Sequence, residues 1–315
     1  MNTAAKLSAY GAALVLVAGG AWATGTAVGP FTGEAGALGG EEAGHEGTHS
    51  DTVAEAASKD QPGGLASSLG GYTLTPTATT LTPAASSTFS FRISGPDGLP
   101  VTAYDVEHEK RMHLIVVRRD TAGFQHVHPD LGADGTWTVQ LTLPQAGSYR
   151  AFADFAPTGG QPTTLGVDLV VPGDFQPVAY AASRVSEVDG FRVRLDGELT
   201  AGQSSKVTLT VTKDGREVTD LQPYLGAYGH LVALRGGDLA YLHVHPDGTP
   251  GDGKTPAGPS VVFYAEVPSA GTYRLFLDFR HDDKVRTAEF TVATSGASVP
   301  TQQPPAAGDG HGAHG

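Results

Sequence analysis

The chain repeats itself. The segment "LPQAGSYRAFADF" (Leu143–Phe155) is answered by "VPSAGTYRLFLDF" (Val267–Phe279), and "KRMHLIVVRRDTAGFQHVHPD" is answered by "AYGHLVALRGGDLAYLHVHPD". Two copies of a unit of roughly a hundred residues indicate a duplicated domain, because solenoids are built from many shorter repeats. Whatever fold the first copy builds, the second must be able to reproduce.

Within each copy the apolar segments are short, rich in β-branched residues and alternating. The first offers "STFSFRIS", "MHLIVVRR", "TWTVQLTL", "YRAFADF" and "LGVDLVV"; the second offers "SKVTLTVT", "HLVALRG", "VVFYAEV", "YRLFLDF" and "TAEFTVA". Turn-forming runs such as "GPDG", "KDG" and "RGGD" separate them, and no helical period is sustained. The expected fold is all-β: two tandem immunoglobulin-like or cupredoxin-like antiparallel β-sandwiches, over residues 69–173 and 174–293. Tyr149 and Tyr273 follow Ala-Gly at a strand start, where a tyrosine pins a Greek-key corner.

The flanks read differently. Residues 1–31 hold no charge from Leu7 to Phe31, so they are expected to act as a signal peptide or an uncleaved membrane anchor. "AWA" at Ala21–Ala23 offers a cleavage site. Either way the remainder is expected outside the cytoplasm. Residues 32–68 are small, acidic and poor in aromatics, a tether that cannot bury enough apolar surface to fold alone. Residues 294–315 read as a second disordered segment. His45, His49, His311 and His314 fall in these flanks.

The histidines carry the chemistry. His113, His126 and His128 in the first copy recur at identical spacing as His230, His243 and His245 in the second. Strand alternation puts His126 and His128 on one face, with Val127 on the other. If "RGGD" turns at Gly237 and Asp238, His230 falls opposite His245. A turn at Asp120 and Thr121 likewise sets His113 opposite His128. Directly opposed Cβ atoms lie about 4.5–5.5 Å apart, close enough for two imidazoles to share an ion. The pattern therefore predicts two three-imidazole sites, one per copy. Asp154 and Asp278 are the candidate oxygen ligands or orienting partners. Met112 could add a thioether in the first copy, where the second has Gly229. His108 and His281 have no counterparts and are expected at the surface.

Composition bounds the rest. The chain has no cysteine, which excludes thiolate metal sites, disulfides and a lipid anchor on cysteine, and leaves nitrogen and oxygen ligands for Cu or Zn. A net charge of −13 argues against nucleic acid as a partner.

Over "EKRMHLIVVRRDTAGFQHVHPDLGADGTWTVQLTLPQAGSYRAFADF" the chain resembles the exported bacterial YtkA-like proteins, more loosely so in the second copy. That resemblance implies an immunoglobulin-like sandwich, location outside the cytoplasm and an association with copper or heavy-metal handling. "FQHVHPD" also looks like the copper strand of copper–zinc superoxide dismutase. The zinc-loop histidines and the cysteines of that enzyme are absent, so dismutation is not expected.

The sequence thus points to an exported Cu- or Zn-binding carrier, buffer or sensor without enzymatic activity. Its expected partners are a metal ion, the membrane through the N-terminal segment, and a metal-transport or cell-envelope protein. The principal alternative is a cell-surface interaction module with structural histidines, and a weaker one is a copper-dependent redox enzyme.

Overall fold

The computed structural model describes residues 61–242 and 244–295. All regular elements among them are strands. In the first copy these are β1 (Ser68–Leu69), β2 (Tyr72–Pro76), β3 (Ser86–Ser94), β4 (His113–Arg118), β5 (Gln125–Val127), β6 (Asp130–Leu131), β7 (Thr136–Thr142), β8 (Gly147–Phe155) and β9 (Thr163–Val171). They form an outer sheet in the order β1-β2-β3-β7-β6 and an inner sheet in the order β5-β4-β8-β9. The second copy supplies β10 (Val185–Val188), β11 (Phe191–Asp196), β12 (Gln203–Lys213), β13 (Arg216–Glu217), β14 (His230–Arg235), β15 (Tyr241–Leu242), β16 (Val244–Pro246), β17 (Ser260–Val267), β18 (Thr272–His281) and β19 (Lys284–Ala293). Its outer sheet runs β10-β11-β12-β17-β16, with β13 on β12, and its inner sheet runs β15-β14-β18-β19. The ladders are antiparallel, so the chain is all-β and duplicated.

Alternation fills each sandwich. In the first copy, Phe89, Phe91, Ile93 and Trp137 of the outer sheet meet Leu114, Val116, Ala151, Leu165 and Leu169 of the inner one. The second core is built alike from Val207, Leu209, Val211 and Phe263 against Leu231, Ala233, Leu275 and Phe290. The tyrosine corners form as the sequence predicts. The Tyr149 hydroxyl donates to the Gln145 carbonyl at 2.8 Å, and the Tyr273 hydroxyl to the Ser269 carbonyl at 2.7 Å. Such a corner is a hallmark of immunoglobulin-like sandwiches.

A third core has no counterpart in the sequence expectation. Ile115, Val117 and Phe152 of the first inner sheet pack against Val232, Leu234, Leu239 and Phe276 of the second. The two inner sheets therefore lie face to face, and all six residues of β4 are buried. The arrangement is reciprocal. Phe124 of the first hairpin stacks on Phe276 at a centroid distance of 4.0 Å and an angle of 5°. Tyr241 of the second hairpin meets Phe152 at 5.8 Å.

Part of the expected tether is ordered at this junction. The Tyr241 N–H donates to the Gly63 carbonyl at 2.9 Å, the Gly64 N–H to Thr164 at 2.9 Å, and the Gly166 N–H to Ala66 at 2.8 Å. The segment gains order because it satisfies backbone groups at the edges of both inner sheets. Gly64 is required there. Its φ is +74°, and a Cβ would fall 2.3 Å from the Phe152 ring. The expected signal peptide or membrane anchor and the histidines of both flanks lie outside the described residues.

Candidate metal centre

The first hairpin has the expected register. Leu114 pairs with Val127 and Ile115 with His126, and one further step sets His113 opposite His128. Ile115 belongs to the junction between the copies. All three imidazoles therefore project from the inner sheet towards the second copy, while Val127 packs on the sandwich core. Each ring offers one nitrogen to a common point, and these nitrogens all lie within 4.8 Å of one another.

The outer nitrogens are held. His113 Nε2 bonds the Glu107 carbonyl at 3.0 Å, and His126 Nδ1 bonds Asp278 Oδ2 at 2.8 Å. The other Asp278 oxygen accepts from the Thr287 hydroxyl at 2.6 Å. A carbonyl and a carboxylate only accept, so His113 carries its proton on Nε2 and His126 on Nδ1. When both rings are neutral, the lone pairs of His113 Nδ1 and His126 Nε2 then face each other across 3.0 Å. Such a contact is repulsive unless a proton or a metal ion sits between the two nitrogens. His128 Nε2 is buried with no hydrogen-bond partner, a third imidazole nitrogen left unpaired in this cluster.

Burial disfavours protonation here. It pushes His113 down to about 4 and His128 to about 3, with the neighbouring imidazoles adding to the effect. His230 is driven well below the ordinary range, first by burial and then by His126 and His113. The unfolded chain therefore takes up these protons before the folded one does. Folding stability is present in full above the ordinary value of about 6.5 and is lost as the pH falls towards about 4 for His113 and about 3 for His128. Urea midpoints in a chelator should fall from about pH 7 to about pH 4.5, and more steeply in the natural chain than in a His113→Gln/His128→Gln double variant. Equal slopes would show that these imidazoles are not held neutral.

The sequence predicts one three-imidazole site per copy, and the described residues of the second copy show where its first histidine goes. His230 lies against the first triad. Its ring stacks on His113 at 5.4 Å and 2°, and lies 4.7 Å from the His126 ring. Asp278, also from the second copy, is the carboxylate that reaches the first triad. The second hairpin begins in the expected register, with Leu234 on Tyr241 and Ala233 on Leu242. The chain then crosses to the outer sheet, where Val244 pairs with Ala265 and His245 with Tyr264. His245 is exposed, and His243 lies outside the described residues. Asp154 stands opposite His113 in the ladder and accepts from the Thr164 hydroxyl at 2.7 Å.

Two minor expectations also change. Met112 points the other way from His113 and is buried in the first sandwich core, so its thioether is committed to packing. His281 is buried beside the Phe191 ring and 3.2 Å from Asp220, not at the surface. His108 is exposed, as expected, and its ring lies 6.1 Å from His113 and 5.6 Å from His230. Its lack of a repeat partner hid this position. The only hint in the sequence was its closeness to the Met112–His113 strand.

Fold and site together define a duplicated all-β protein whose two sandwiches join at a cluster of imidazoles. Residues 67–173 and 186–296 each match DUF8832, a domain of unknown function; the chain belongs to that family, which it carries twice. No curated protein matches the chain. Among solved structures, the Escherichia coli adhesin FdeC is 14% identical with a TM-score of 0.24, over 71% of this chain and 64% of that one. Invasin, a bacterial integrin-binding protein, is 14% identical at a TM-score of 0.20, over 70% of this chain and 39% of that one. Domains 5–6 of the S-layer protein SbsC are 15% identical at 0.21, over 71% of this chain and 97% of that one. The chain thus spans less than two thirds of the first two. At TM-scores this low the likeness supports no inference of fold or function. The family found is DUF8832, and the YtkA-like likeness stays a resemblance of sequence.

Proposed function

We propose that this protein binds one Zn²⁺ or Cu²⁺ ion per chain outside the cytoplasm, as a carrier, buffer or sensor. His113 Nδ1, His126 Nε2 and His128 Nε2 are the ligands, and an exogenous group takes the fourth position. The observation that carries this reading is the pair of opposed lone pairs at 3.0 Å, fixed by Glu107 and Asp278 on their far sides. A carboxylate or carbonyl behind each imidazole is the arrangement that orients metal-bound histidines. With Met112 turned into the core and no cysteine in the chain, the donor set is nitrogen-rich, which suits Zn²⁺ and Cu²⁺ better than Cu⁺.

No nucleophile–base pair accompanies the cluster in this reading, and the protein works by binding, without catalysis. The N-terminal segment serves export or attachment to the membrane, and a metal-transport or cell-envelope protein exchanges the ion with it.

Isothermal titration of the full chain with Zn²⁺ and with Cu²⁺, against a competing chelator that masks loose sites, tests the stoichiometry. One tight ion per chain is expected, because His230 and Asp278 are drawn to the first triad while His245 sits on the outer sheet. Two equivalent tight ions would reject the single shared centre, and none would reject metal binding altogether.

A further inference from the structure

We propose that the exposed His108, handing on to the half-buried His230, is the path by which the cation reaches the buried triad. This rests on the triad being a metal site, and it adds the route of entry. His113 is only 3% exposed, and the side chain of His126 only 2%. An ion arriving from solvent cannot meet these nitrogens first. Among the described residues, His108 is the exposed imidazole whose ring contacts that cluster, at 6.1 Å from His113.

The backbone holds His108 in that position. Glu107 and Lys110 exchange two backbone hydrogen bonds, at 2.9 and 3.0 Å. His108 and Glu109 between them have φ of +47° and +65°, a tight turn that favours glycine or asparagine. Non-glycine residues hold this conformation at a cost, and such strain gathers at functional sites. The same turn presents the Glu107 carbonyl to His113 Nε2. One short strap therefore both orients a triad ligand and sets an imidazole above it.

His230 fills the gap between outside and inside. Its ring lies 5.6 Å from His108, 5.4 Å from His113 and 4.7 Å from His126. Imidazole is a donor for the same Zn²⁺ or Cu²⁺ that suits the triad. Passage is a sequence of ligand exchanges, with one imidazole bond forming as another breaks and no change of oxidation state.

The second copy supplies an internal comparison. It makes the same turn between Tyr224 and Ala227, with Leu225 at φ +55° and Gly226 at φ +77°. Leu225, in the place of His108, is 2% exposed and apolar. The fold needs the turn twice but carries an imidazole at its tip once, on the side of the first triad.

The test is stopped-flow uptake of Cu²⁺ from a weak chelator by the full chain, alongside equilibrium affinity by chelator competition. In His108→Ala, uptake should slow about tenfold while equilibrium affinity stays within about threefold of the natural chain. His230→Ala, checked for folding by its circular dichroism, should slow uptake in the same way. Unchanged uptake in His108→Ala overturns the entry route. A loss of affinity in His108→Ala as deep as that of His126→Ala overturns it too, by making His108 a member of the inner site. Tight binding retained in His126→Ala would remove the triad itself, an outcome separate from either.

Discussion

Alanine at His126 lowers the affinity for Zn²⁺ or Cu²⁺ by roughly a hundred- to a thousandfold. Structural zinc sites with four ligands bind with about 10–16 kcal/mol, or roughly 2.5–4 kcal/mol per ligand, and each 1.4 kcal/mol is about tenfold. His126 is the proposed ligand whose loss also strands a partner, since its Nδ1 is the group that Asp278 Oδ2 accepts from. Asp278→Asn should sit between the variant and the natural chain. It keeps three imidazoles, but replaces an anionic acceptor behind one of them, a change that typically costs about 10- to 100-fold in metal affinity. Chelator competition on the three proteins should rank them natural chain, Asp278→Asn, His126→Ala. Asp278→Asn binding as tightly as the natural chain would show that the second copy contributes nothing to the centre.

Phe276→Ala removes about 3–5 kcal/mol of folding stability, the usual cost of deleting a buried aromatic ring. Phe276 is fully buried in the core between the copies. It stacks on Phe124 at 4.0 Å and receives the Arg274 guanidinium 5.1 Å from its centroid. The cavity opens where Phe152, Val232 and Leu234 also meet, and rigid sheets on both sides leave little scope for collapse. Urea denaturation should show the loss as a lower midpoint. Because Asp278 lies two residues along the same strand, metal affinity should fall with it. A cost below about 1 kcal/mol would mean that the inner faces do not hold the sandwiches together.

Much of this architecture was legible in the residues. Alternation in "STFSFRIS" and its relatives gave antiparallel strands, and the turn residues gave the hairpin registers that bring His113 opposite His128. The tyrosine corners followed from Ala-Gly before Tyr149 and Tyr273. What alternation could not give was the contact between copies. "HLIVVR" and "HLVALR" are continuous apolar runs, the pattern of strands buried on both faces. Taken as ordinary strands, they concealed the third core. Because the first triad faces that core, missing it hid the approach of His230 and Asp278 from the second copy to that triad. The departure of His245 to the outer sheet was hidden for another reason. A strand that changes sheets keeps its period, so its sequence looks the same before and after the crossing. The place of His108 beside the cluster escaped because it depends on a turn and a neighbouring copy, neither of which a spacing reveals.

The reciprocal stacking of Phe124 on Phe276 and Tyr241 with Phe152 has one further consequence. Two sandwiches meeting through equivalent faces are an isologous dimer written into a single polypeptide. A free dimer of identical subunits must spend the same residues on both halves, since any change at one position appears twice. Covalent linkage removes that constraint and keeps the partner face at high effective concentration. The halves can then divide their labour. Leu225 can stand where His108 stands, Gly229 where Met112 stands, and one half can present imidazoles while the other steadies them.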